Sequence, residues 1–460
     1  MGTVRTFAVM NHEVTPPRPM TFRGAEPLSS AYFWVLAFFV VYCARPEDWI
    51  PGLHYVPLAK ITGVFALVAL ALSMGQARRL PREMFYLFLL FAQLCLAGLF
   101  SSVWRGGAFN TVLLFSKVVV IVPVVALAVT TLTRLRRLIF TQTACVLVIA
   151  MVSLVTGQEV EGRLEGILGG IYGNPNDLAM AIVLTVPFCF AFMLSARDGL
   201  RKAIWLPGIA LMTYALFRTS SRMGLLALVV SMGVLLWEFG IKGRRRYLLP
   251  FAGLIVIGGL VVGGRGIKAR FGAMFGSNAA YSEDVTAHDS AEERRELLWR
   301  SFAVTARHPL FGVGPGNFRV VSGVWRVAHN TFTELAAEGG LPALIFFLLV
   351  FWRAFDNVRK TQALVGEQTE EMLLARALRC SLVGFAVGAL FASVEYHFFP
   401  YFLVAYSSAL YAMAARDASQ APSQANRPLR HRLSTGVRET LGAAITQSDY
   451  ERGRALAPGK

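Results

Sequence analysis

Charged residues and cysteines are both scarce in this 460-residue sequence. Only 16% of the residues are charged and 55% are hydrophobic, whereas about a quarter of the residues in soluble proteins are charged. This balance argues against a soluble globular protein and indicates a polytopic membrane protein. The five cysteines all lie within apolar stretches, so the sequence does not support a disulfide framework outside the membrane.

Two further features are missing. The segment up to Ser29 is polar and contains prolines, and it has no apolar core of the kind that signal peptides carry. The apolar segments do not echo one another, so no internal repeat is evident. Gly312-x-Gly314-x-Gly316 follows a predicted helix rather than a strand, which weakens a dinucleotide-binding interpretation.

Apolar runs of about 15 to 24 residues, long enough to cross a bilayer, are the main feature that the sequence does contain. They lie at 30–44, 57–74, 84–103, 109–132, 138–156, 176–195, 203–217, 223–239, 247–264, 335–355, 378–394 and 398–415. The predicted fold is therefore all-α, a polytopic transmembrane helix bundle of about twelve spans with one long extracytoplasmic loop.

The placement of positive charge predicts the orientation. The formal net charge is +17, but most lysines and arginines lie in short loops rather than on one surface, which argues against nucleic acid as a partner. They concentrate in alternate loops, at 78–82, 134–137, 197–202, 242–246 and 353–379. The loops between these hold far fewer. The positive-inside rule then places both termini in the cytoplasm.

The spans divide the chain into five predicted parts. Residues 1–29 form a cytoplasmic N-terminal segment, and 30–264 hold spans one to nine. Residues 265–334 form the long loop on the outer face, because this segment is too polar for the membrane and too long for a simple connector. Spans ten to twelve occupy 335–415. Residues 416–460 form a disordered cytoplasmic tail rich in Ser, Gln, Arg and Pro.

Polar residues at the predicted outer ends of the spans are candidates for binding. A turn and a helix start explain the Asn174-Pro175-Asn176-Asp177 stretch, but not the nearby Arg163. Arg222 opens span eight and is either an interfacial side chain or an anion ligand. Arginines are rare on the predicted outer face, so the position of Arg222 there favours its interpretation as an anion ligand. Lys117 lies inside span four, so it either adds charge to an anion site or pairs within the bundle.

The long loop contains its own candidates. Residues 291–306 are compatible with a helix on which Arg295 and Trp299 share a face. The Pro/Gly-rich stretch "PLFGVGPGNF" follows, where backbone amides can approach an anion. Thr331-x-x-Glu334 matches a capping box and predicts a helix start near Phe332. His329 and Asn330 would then lie just outside this helix, near the membrane surface.

These motifs occur in an order that resembles the O-antigen ligase/polymerase family. The matching elements are Asn174-Pro175-Asn176, Ser221-Arg222, Arg295…Trp299, His308-Pro309-Leu310-Phe311-Gly312-Val313-Gly314 and His329-Asn330, within about 163–355. "RPEDWIPG" at 45–52 also resembles a subgroup found beside exopolysaccharide or exosortase systems. Members of the family are enzymes of the bacterial cytoplasmic (inner) membrane. They move a glycan from undecaprenyl pyrophosphate to an acceptor outside that membrane.

The resemblance implies a mechanism and a set of site residues. His329 would be the general base, and Arg222 and Arg295 would bind the pyrophosphate. Arg163, Asn330 and Lys117 are further candidates for substrate binding. The donor carries its own leaving group, so no nucleotide or other cofactor is needed. Direct displacement at C1 of the sugar would invert the anomeric configuration.

The acceptor and the rival functions stay open at the level of sequence. A lipid A-core acceptor would make the protein a ligase, and a second lipid-linked glycan would make it a polymerase. A protein hydroxyl is a third acceptor. A lipid-glycan transporter belongs to another class, but its polar groups would concentrate near the bilayer midplane. Among the candidate residues here, only Lys117 lies deep within a predicted span, which favours an enzyme that acts at the membrane surface over a transporter.

A metal-dependent reaction is the remaining alternative. An acidic group in the long loop could bind a divalent cation: Glu283, Asp284, His288, Asp289, Glu292 and Glu293. A solvated acidic face is the preferred interpretation, because arginines already supply positive charge. We therefore expect glycan transfer to continue in EDTA. Loss of transfer in EDTA that added Mg²⁺ restores would contradict metal independence.

Overall fold

The computed structural model describes residues 28–76, 79–157, 159–160, 163–166, 171–196, 198–248, 250 and 282–420. Three predicted segments lie almost entirely outside these residues: the N-terminal segment 1–29, the ninth span at 247–264 and the tail at 416–460. The described chain is mostly helical, in agreement with the predicted all-α class. One pair of short antiparallel strands, β1 (Glu159–Val160) and β2 (Arg163–Leu164), joins two helices.

The helices follow the apolar runs closely. They are α1 (Ser29–Ala44), α2 (Pro46–Trp49), α3 (Leu58–Leu72), α4 (Arg82–Leu99), α5 (Arg105–Ala128), α6 (Leu132–Thr156), α7 (Pro175–Ser195), α8 (Gly199–Arg218), α9 (Arg222–Leu235), α10 (Ser282–Arg307), α11 (Phe318–Val321), α12 (Thr331–Leu364), α13 (Glu370–Gly388) and α14 (Phe398–Gln420). A π-helical segment, Leu236–Lys242, extends α9. Short 3-10 turns occupy Leu53–Tyr55 and Met74–Gln76.

Seven helices of the described chain are long and apolar enough to cross a membrane: α4, α5, α6, α7, α9 with its π-helical extension, α12 and α14. Helix α3 is a shorter apolar helix. Helices lie at eleven of the twelve predicted span positions, but the count of about twelve spans is not confirmed. Helix α1 has only 16 residues, fewer than the about 20 that a span needs. Helix α13 carries Glu370, Glu371, Arg376 and Arg379.

The core forms around α7 and α14. Helix α7 packs against α6, α8, α9 and α13, and α14 packs against α5, α12 and α13. The two helices are buried along most of their length, and aromatic rings fill the space beside α14. Phe39 of α1 lies 4.3 Å from Phe402, measured between ring centroids. Buried polar side chains pair, as where the Tyr406 hydroxyl donates to Gln142 Oε1 at 2.5 Å. This packed bundle is a firm support for the segments at its ends.

The loop that follows α10 is tied to a break in α12. Gly340 has φ 78° and ψ 173°, so the helix is interrupted there. Pro342 has no backbone N–H, which leaves the Glu338 carbonyl without its usual helical donor. The Gly314 N–H donates to this carbonyl at 2.9 Å. The Leu341 N–H leaves the helix as well and donates to the Pro309 carbonyl at 2.8 Å.

We expect Gly340→Ala to destabilise the protein, because the backbone conformation at Gly340 is one that only glycine adopts easily. An added Cβ would also lie 2.4 Å from the Leu310 carbonyl oxygen. The expected loss is about 1–3 kcal/mol or more, measured as a lower midpoint of thermal unfolding in detergent.

Gly233→Ala is the matched control, because Gly233 lies within α9 and an added Cβ there meets nothing within 4 Å. Alanine is a better helix former than glycine, so this variant should be at least as stable as the wild type. Equal midpoints for the two variants would show that the break at Gly340 is not strained by a side chain.

Candidate active site

His329 lies directly before α12 in a strained backbone conformation. Its φ is 53°, in the left-handed region, and its side chain is half-buried. The residues on either side are fixed. The Ala328 N–H donates to Glu334 Oε2 at 2.9 Å, and Asn330 Oδ1 accepts from the N–H groups of Phe332 and Thr333 at 3.0 and 3.1 Å. The imidazole therefore projects from a backbone that is held on both sides.

The predicted capping box is wrong in its details. Helix α12 begins at Thr331, one residue before the predicted start, and Asn330 rather than Thr331 is its N-cap. The Thr331 hydroxyl instead donates to the Ala392 carbonyl at 2.7 Å. Glu334 does reach back, but to the N–H of Ala328. An asparagine side chain caps at least as well as a threonine, and the connection between α13 and α14 occupies the Thr331 hydroxyl.

The Gly-rich turn binds an anion that belongs to the chain itself. The N–H groups of Gly316 and Phe318 donate to the two carboxylate oxygens of Glu338 at 2.7 and 3.1 Å. The Tyr396 hydroxyl donates to the same carboxylate at 2.7 Å. We expected these amides to approach an anion, and the structure gives Glu338 that position. The turn therefore supports the site and does not present these two amides to a ligand.

Glu334 lies one helical turn before Glu338 and is also buried. Besides the Ala328 N–H, it accepts a hydrogen bond from the Ser393 hydroxyl. Glu395 is buried close by. Burial and the charges of Glu334 and Glu338 raise the pKa of Glu395 well above its usual range. The raised pKa favours the protonated, neutral form of Glu395 beside the other two carboxyl groups.

Two arginines lie near His329, and a third, Arg222, lies near one of them, Arg294. Burial and the charges of Arg294 and Arg326 lower the pKa of His329 to about 4. Burial and the charge of Arg222 lower the pKa of Arg294. We call Arg222, Arg294, Arg326 and His329 the His329 cluster. Because the imidazole is neutral at ordinary pH, it has a lone pair that can accept a proton.

One carboxylate among the described residues acts directly on the cluster. Glu293 forms an ion pair with Arg326, and its charge also reaches Arg294. Glu293 therefore offsets part of the positive charge of Arg326 and Arg294, while the charge of Arg222 still acts on Arg294. An anion with two or more negative charges would relieve this repulsion, since guanidinium groups bind phosphate oxygens in a planar, two-point geometry.

Arg294, which the sequence analysis missed, is the loop arginine that lies close to Arg222. Arg295 is exposed. On α10 the buried face holds Leu297 and Ser301, three and seven residues after Arg294. Residues at this spacing share one side of a helix, whereas Arg295 lies on the exposed side with Trp299. The spacing from Leu297 was the available signal, and it required knowing which apolar residue faces the core.

Arg163 is joined to the start of α9 by hydrogen bonds. Its Nη2 donates to Asn176 Oδ1 and its Nε donates to the Thr219 carbonyl, both at 3.3 Å. The Ser221 hydroxyl donates to the same Asn176 oxygen at 2.7 Å and caps α9 through the Gly224 N–H. The Asn-Pro-Asn, Ser-Arg and Arg163 elements are therefore brought together. Arg163 contacts the segment that carries Arg222.

The other residues predicted to bind substrate or metal, Asn330, Lys117 and the acidic group of the long loop, are not part of the His329 cluster as defined above. Asn330 uses its side-chain oxygen as a helix cap, and its Nδ2 donates to the Leu390 carbonyl at 3.1 Å. Lys117 lines a separate cavity of 950 Å³ beside α1, α3 and α5. Within the described parts of the chain, no three His, Cys, Asp or Glu residues are grouped to hold a metal ion. The side chains of Glu283, Asp284, His288 and Asp289 lie outside those parts.

Part of the chain that includes the His329 cluster matches a known protein family. Residues 207–348, just under a third of the chain, match the family model described as O-antigen ligase. This segment is similar to the O-antigen ligase domain, and we use that name for residues 207–348. The match confirms the resemblance to the O-antigen ligase/polymerase family, which acts on lipid-linked glycans in a membrane. No curated protein matches the chain.

The O-antigen ligase domain contains the whole His329 cluster and excludes Arg163 and Lys117. It runs from within α8 to the middle of α12, and so includes the loop helix α10 and the two glutamates that hold the loop. Together with the seven apolar helices, the family match indicates a multi-pass membrane protein. The positive cluster therefore lies within the segment that carries the family likeness.

We expect the imidazole of His329 to stay neutral from pH 8 down to about pH 4.5, because the pKa is lowered to about 4. Nuclear magnetic resonance of ¹³Cε1-labelled histidine would follow it, with His329→Asn identifying its signal. Arg294→Gln removes a neighbouring positive charge and should raise the pKa towards 6.5. Arg295→Gln, the adjacent exposed residue, should leave it unchanged. A wild-type midpoint near 6.5, or equal shifts in the two variants, would contradict the cluster.

Proposed function

We propose that the protein is an O-antigen ligase-type glycosyltransferase. It moves a glycan from undecaprenyl pyrophosphate to an acceptor hydroxyl, on lipid A-core or a similar glycolipid. The observation that carries the proposal is the His329 cluster: a neutral histidine beside Arg294 and Arg326, with Arg222 next to Arg294, all within the O-antigen ligase domain. This combination suits a reaction that needs one proton acceptor and several positive charges.

The arginines suit the donor. A lipid-linked pyrophosphate carries negative charge on both phosphates, and more charge gathers on the leaving oxygen as the bond to C1 of the sugar breaks. Arg222 and Arg294 would stabilise that developing charge. Arg222 is also the first residue of α9, whose free N–H groups add to the positive potential there. Arg163 would keep this helix start in place.

His329 suits the acceptor. The acceptor hydroxyl attacks C1, its proton passes to the imidazole, and the bond between C1 and the pyrophosphate oxygen breaks in the same step. The products are the glycosylated acceptor, lipid pyrophosphate and a protonated His329, which returns its proton to solvent. Bound pyrophosphate offsets the arginine charges that lower the pKa of His329, so donor binding makes the imidazole a better base. A single displacement of this kind inverts the anomeric centre.

The orientation follows from the charge distribution. The positive-inside rule places both termini in the cytoplasm, which puts the His329 end of the bundle on the periplasmic face of the bacterial inner membrane. Undecaprenyl pyrophosphate would present its glycan on that face. The predicted role of residues 265–334 as a periplasmic loop that carries catalytic elements is part of this proposal.

The second candidate is an O-antigen or exopolysaccharide polymerase. The family match supports it equally, because the family contains ligases and polymerases that use the same kind of donor. The two functions differ in the acceptor alone. A lipid-glycan transporter has less support, since the described positive cluster lies at the ends of helices and in a loop rather than midway along the spans.

Reconstituted transfer from undecaprenyl-pyrophosphate glycan tests the proposal. We expect His329→Ala to lower the rate about 10²–10⁴-fold, the usual contribution of a general base. Arg222→Ala and Arg294→Ala should each lower it about 10²–10³-fold through lost charge stabilisation. Arg295→Ala is the matched control and should retain most of the activity. The inverted linkage would be visible in the nuclear magnetic resonance spectrum of the product.

Supplying the acceptors separately distinguishes the candidates. Release of lipid pyrophosphate that requires lipid A-core identifies a ligase. Release with donor alone, together with longer glycans, identifies a polymerase. If a well-folded protein releases no lipid pyrophosphate with either acceptor but moves the donor across vesicle membranes, the transporter is correct. Full activity in His329→Ala would contradict the assignment of the general base.

A further inference from the structure

A second candidate binding site, with two lysines in its lining, lies outside the His329 cluster. The cavity of 950 Å³ that contains Lys117 also contains Lys60, and apolar side chains of α3 and α5 form its wall, including Val64, Leu67 and Leu114. We call it the lysine cavity. None of these residues belongs to the O-antigen ligase domain, and the proposed transfer reaction uses none of them.

The carboxylates at the rim of the lysine cavity have partners of their own. Arg45 donates from Nε and Nη2 to the two oxygens of Asp48, at 2.7 and 2.8 Å. The same guanidinium lies 3.2 Å from Glu47 Oε1. Asp177 Oδ1 lies 3.9 Å from His397 Nδ1. The acidic groups of the rim therefore have partners other than the two lysines.

The lysines themselves lack a negative partner. Among the described residues neither lysine forms an ion pair, and the charged group that acts on Lys117 is Lys60, which also is positive. Lys117 lies near the middle of α5, a 24-residue apolar helix. Two positive charges close together beside apolar helices are unfavourable in free energy, and an anion between them would reduce that cost.

The wall of the cavity favours a ligand with a long apolar part. The side chains of Val64, Leu67 and Leu114 are 59%, 41% and 50% exposed. Exposed apolar side chains on the helices of a membrane protein contact the hydrocarbon chains of lipids. A ligand that satisfies both ends of the cavity therefore has an anionic headgroup and a hydrocarbon tail. Phosphate is the anionic group that membrane lipids carry most often, and ammonium groups bind it as compact charges.

We propose that the lysine cavity binds a phosphate-bearing membrane lipid, with the phosphate between Lys60 and Lys117 and the chain along α3 and α5. The site neighbours the candidate active site through Tyr396, which lines the cavity and donates its hydroxyl to Glu338. The binding does not depend on the proposed transfer reaction.

A titration of the purified full-length chain in neutral detergent with fluorescent phosphatidic acid tests this site. Diacylglycerol with the same chains lacks the phosphate, and inorganic phosphate lacks the chains. We expect phosphatidic acid to bind about tenfold or more tightly than either. The double variant Lys60→Gln/Lys117→Gln should lose this preference. Lys202→Gln, at an exposed lysine of α8 outside the cavity, should keep it.

A blocking variant tests the position of the chain. Val64→Trp would fill the cavity and should weaken phosphatidic acid binding about tenfold. Val68→Trp lies one turn further along α3, is similarly exposed and does not line the cavity, so it should bind as the wild type does. Thermal unfolding in lipid-free detergent would show that all variants are folded.

Several results would overturn the site. These are equal binding of phosphatidic acid and diacylglycerol, inorganic phosphate binding as tightly as the lipid, unchanged binding in the double lysine variant, or equal losses in the two tryptophan variants. His329→Ala should bind phosphatidic acid normally. If no transfer is detected but phosphatidic acid binds as expected, only the proposed function is contradicted. If transfer is detected but phosphatidic acid does not bind as expected, only the lipid site is contradicted.

Discussion

Two buried glutamate side chains hold the loop of this protein onto its helix bundle. Glu338 accepts the N–H groups of Gly316 and Phe318, and Glu334 accepts the N–H of Ala328. A buried carboxylate is costly unless several donors surround it, and a buried N–H is costly without an acceptor. The glutamate oxygens accept hydrogen bonds from these backbone N–H groups, so the loop packs closely against α12 and none of the three N–H groups is left without an acceptor. The position of His329, one residue after Ala328, follows from this pairing.

The loop in turn brings several positive charges together. It carries Arg294 close to Arg222, the first residue of α9, and it carries Arg294 and Arg326 close to His329. Like charges at close range destabilise a folded protein, and binding of an anion removes that cost. Burial and the charges of Arg294 and Arg326 keep His329 unprotonated. The substrate proposed here, a pyrophosphate, would interact favourably with these arginines, so substrate binding and activation of the base would be linked.

Local features of the fold could be predicted from the sequence. Apolar length and turn residues located the helices, and motif order pointed to the family and to His329, Arg222 and Arg163. What it missed depended on contacts between distant segments. Arg294 and Arg295 are adjacent, and only the packing of Leu297 decides which of them faces Arg222. Glu338 and Gly316 are 22 residues apart, so no local pattern showed that the turn would bind the carboxylate. Asn330 replaced Thr331 as the cap because the connection between α13 and α14 engages the threonine hydroxyl.

Binding of the donor lipid tests the central claim most directly, because it needs neither an acceptor nor turnover. The affinity of the full chain for undecaprenyl pyrophosphate would be measured at two salt concentrations, with Arg294→Gln and Arg295→Gln compared side by side. The account predicts that Arg294→Gln weakens binding about tenfold or more and reduces its salt dependence, while Arg295→Gln leaves both near the wild-type values. Equal effects of the two substitutions, or affinity that does not depend on either arginine, would contradict a pyrophosphate site in the His329 cluster.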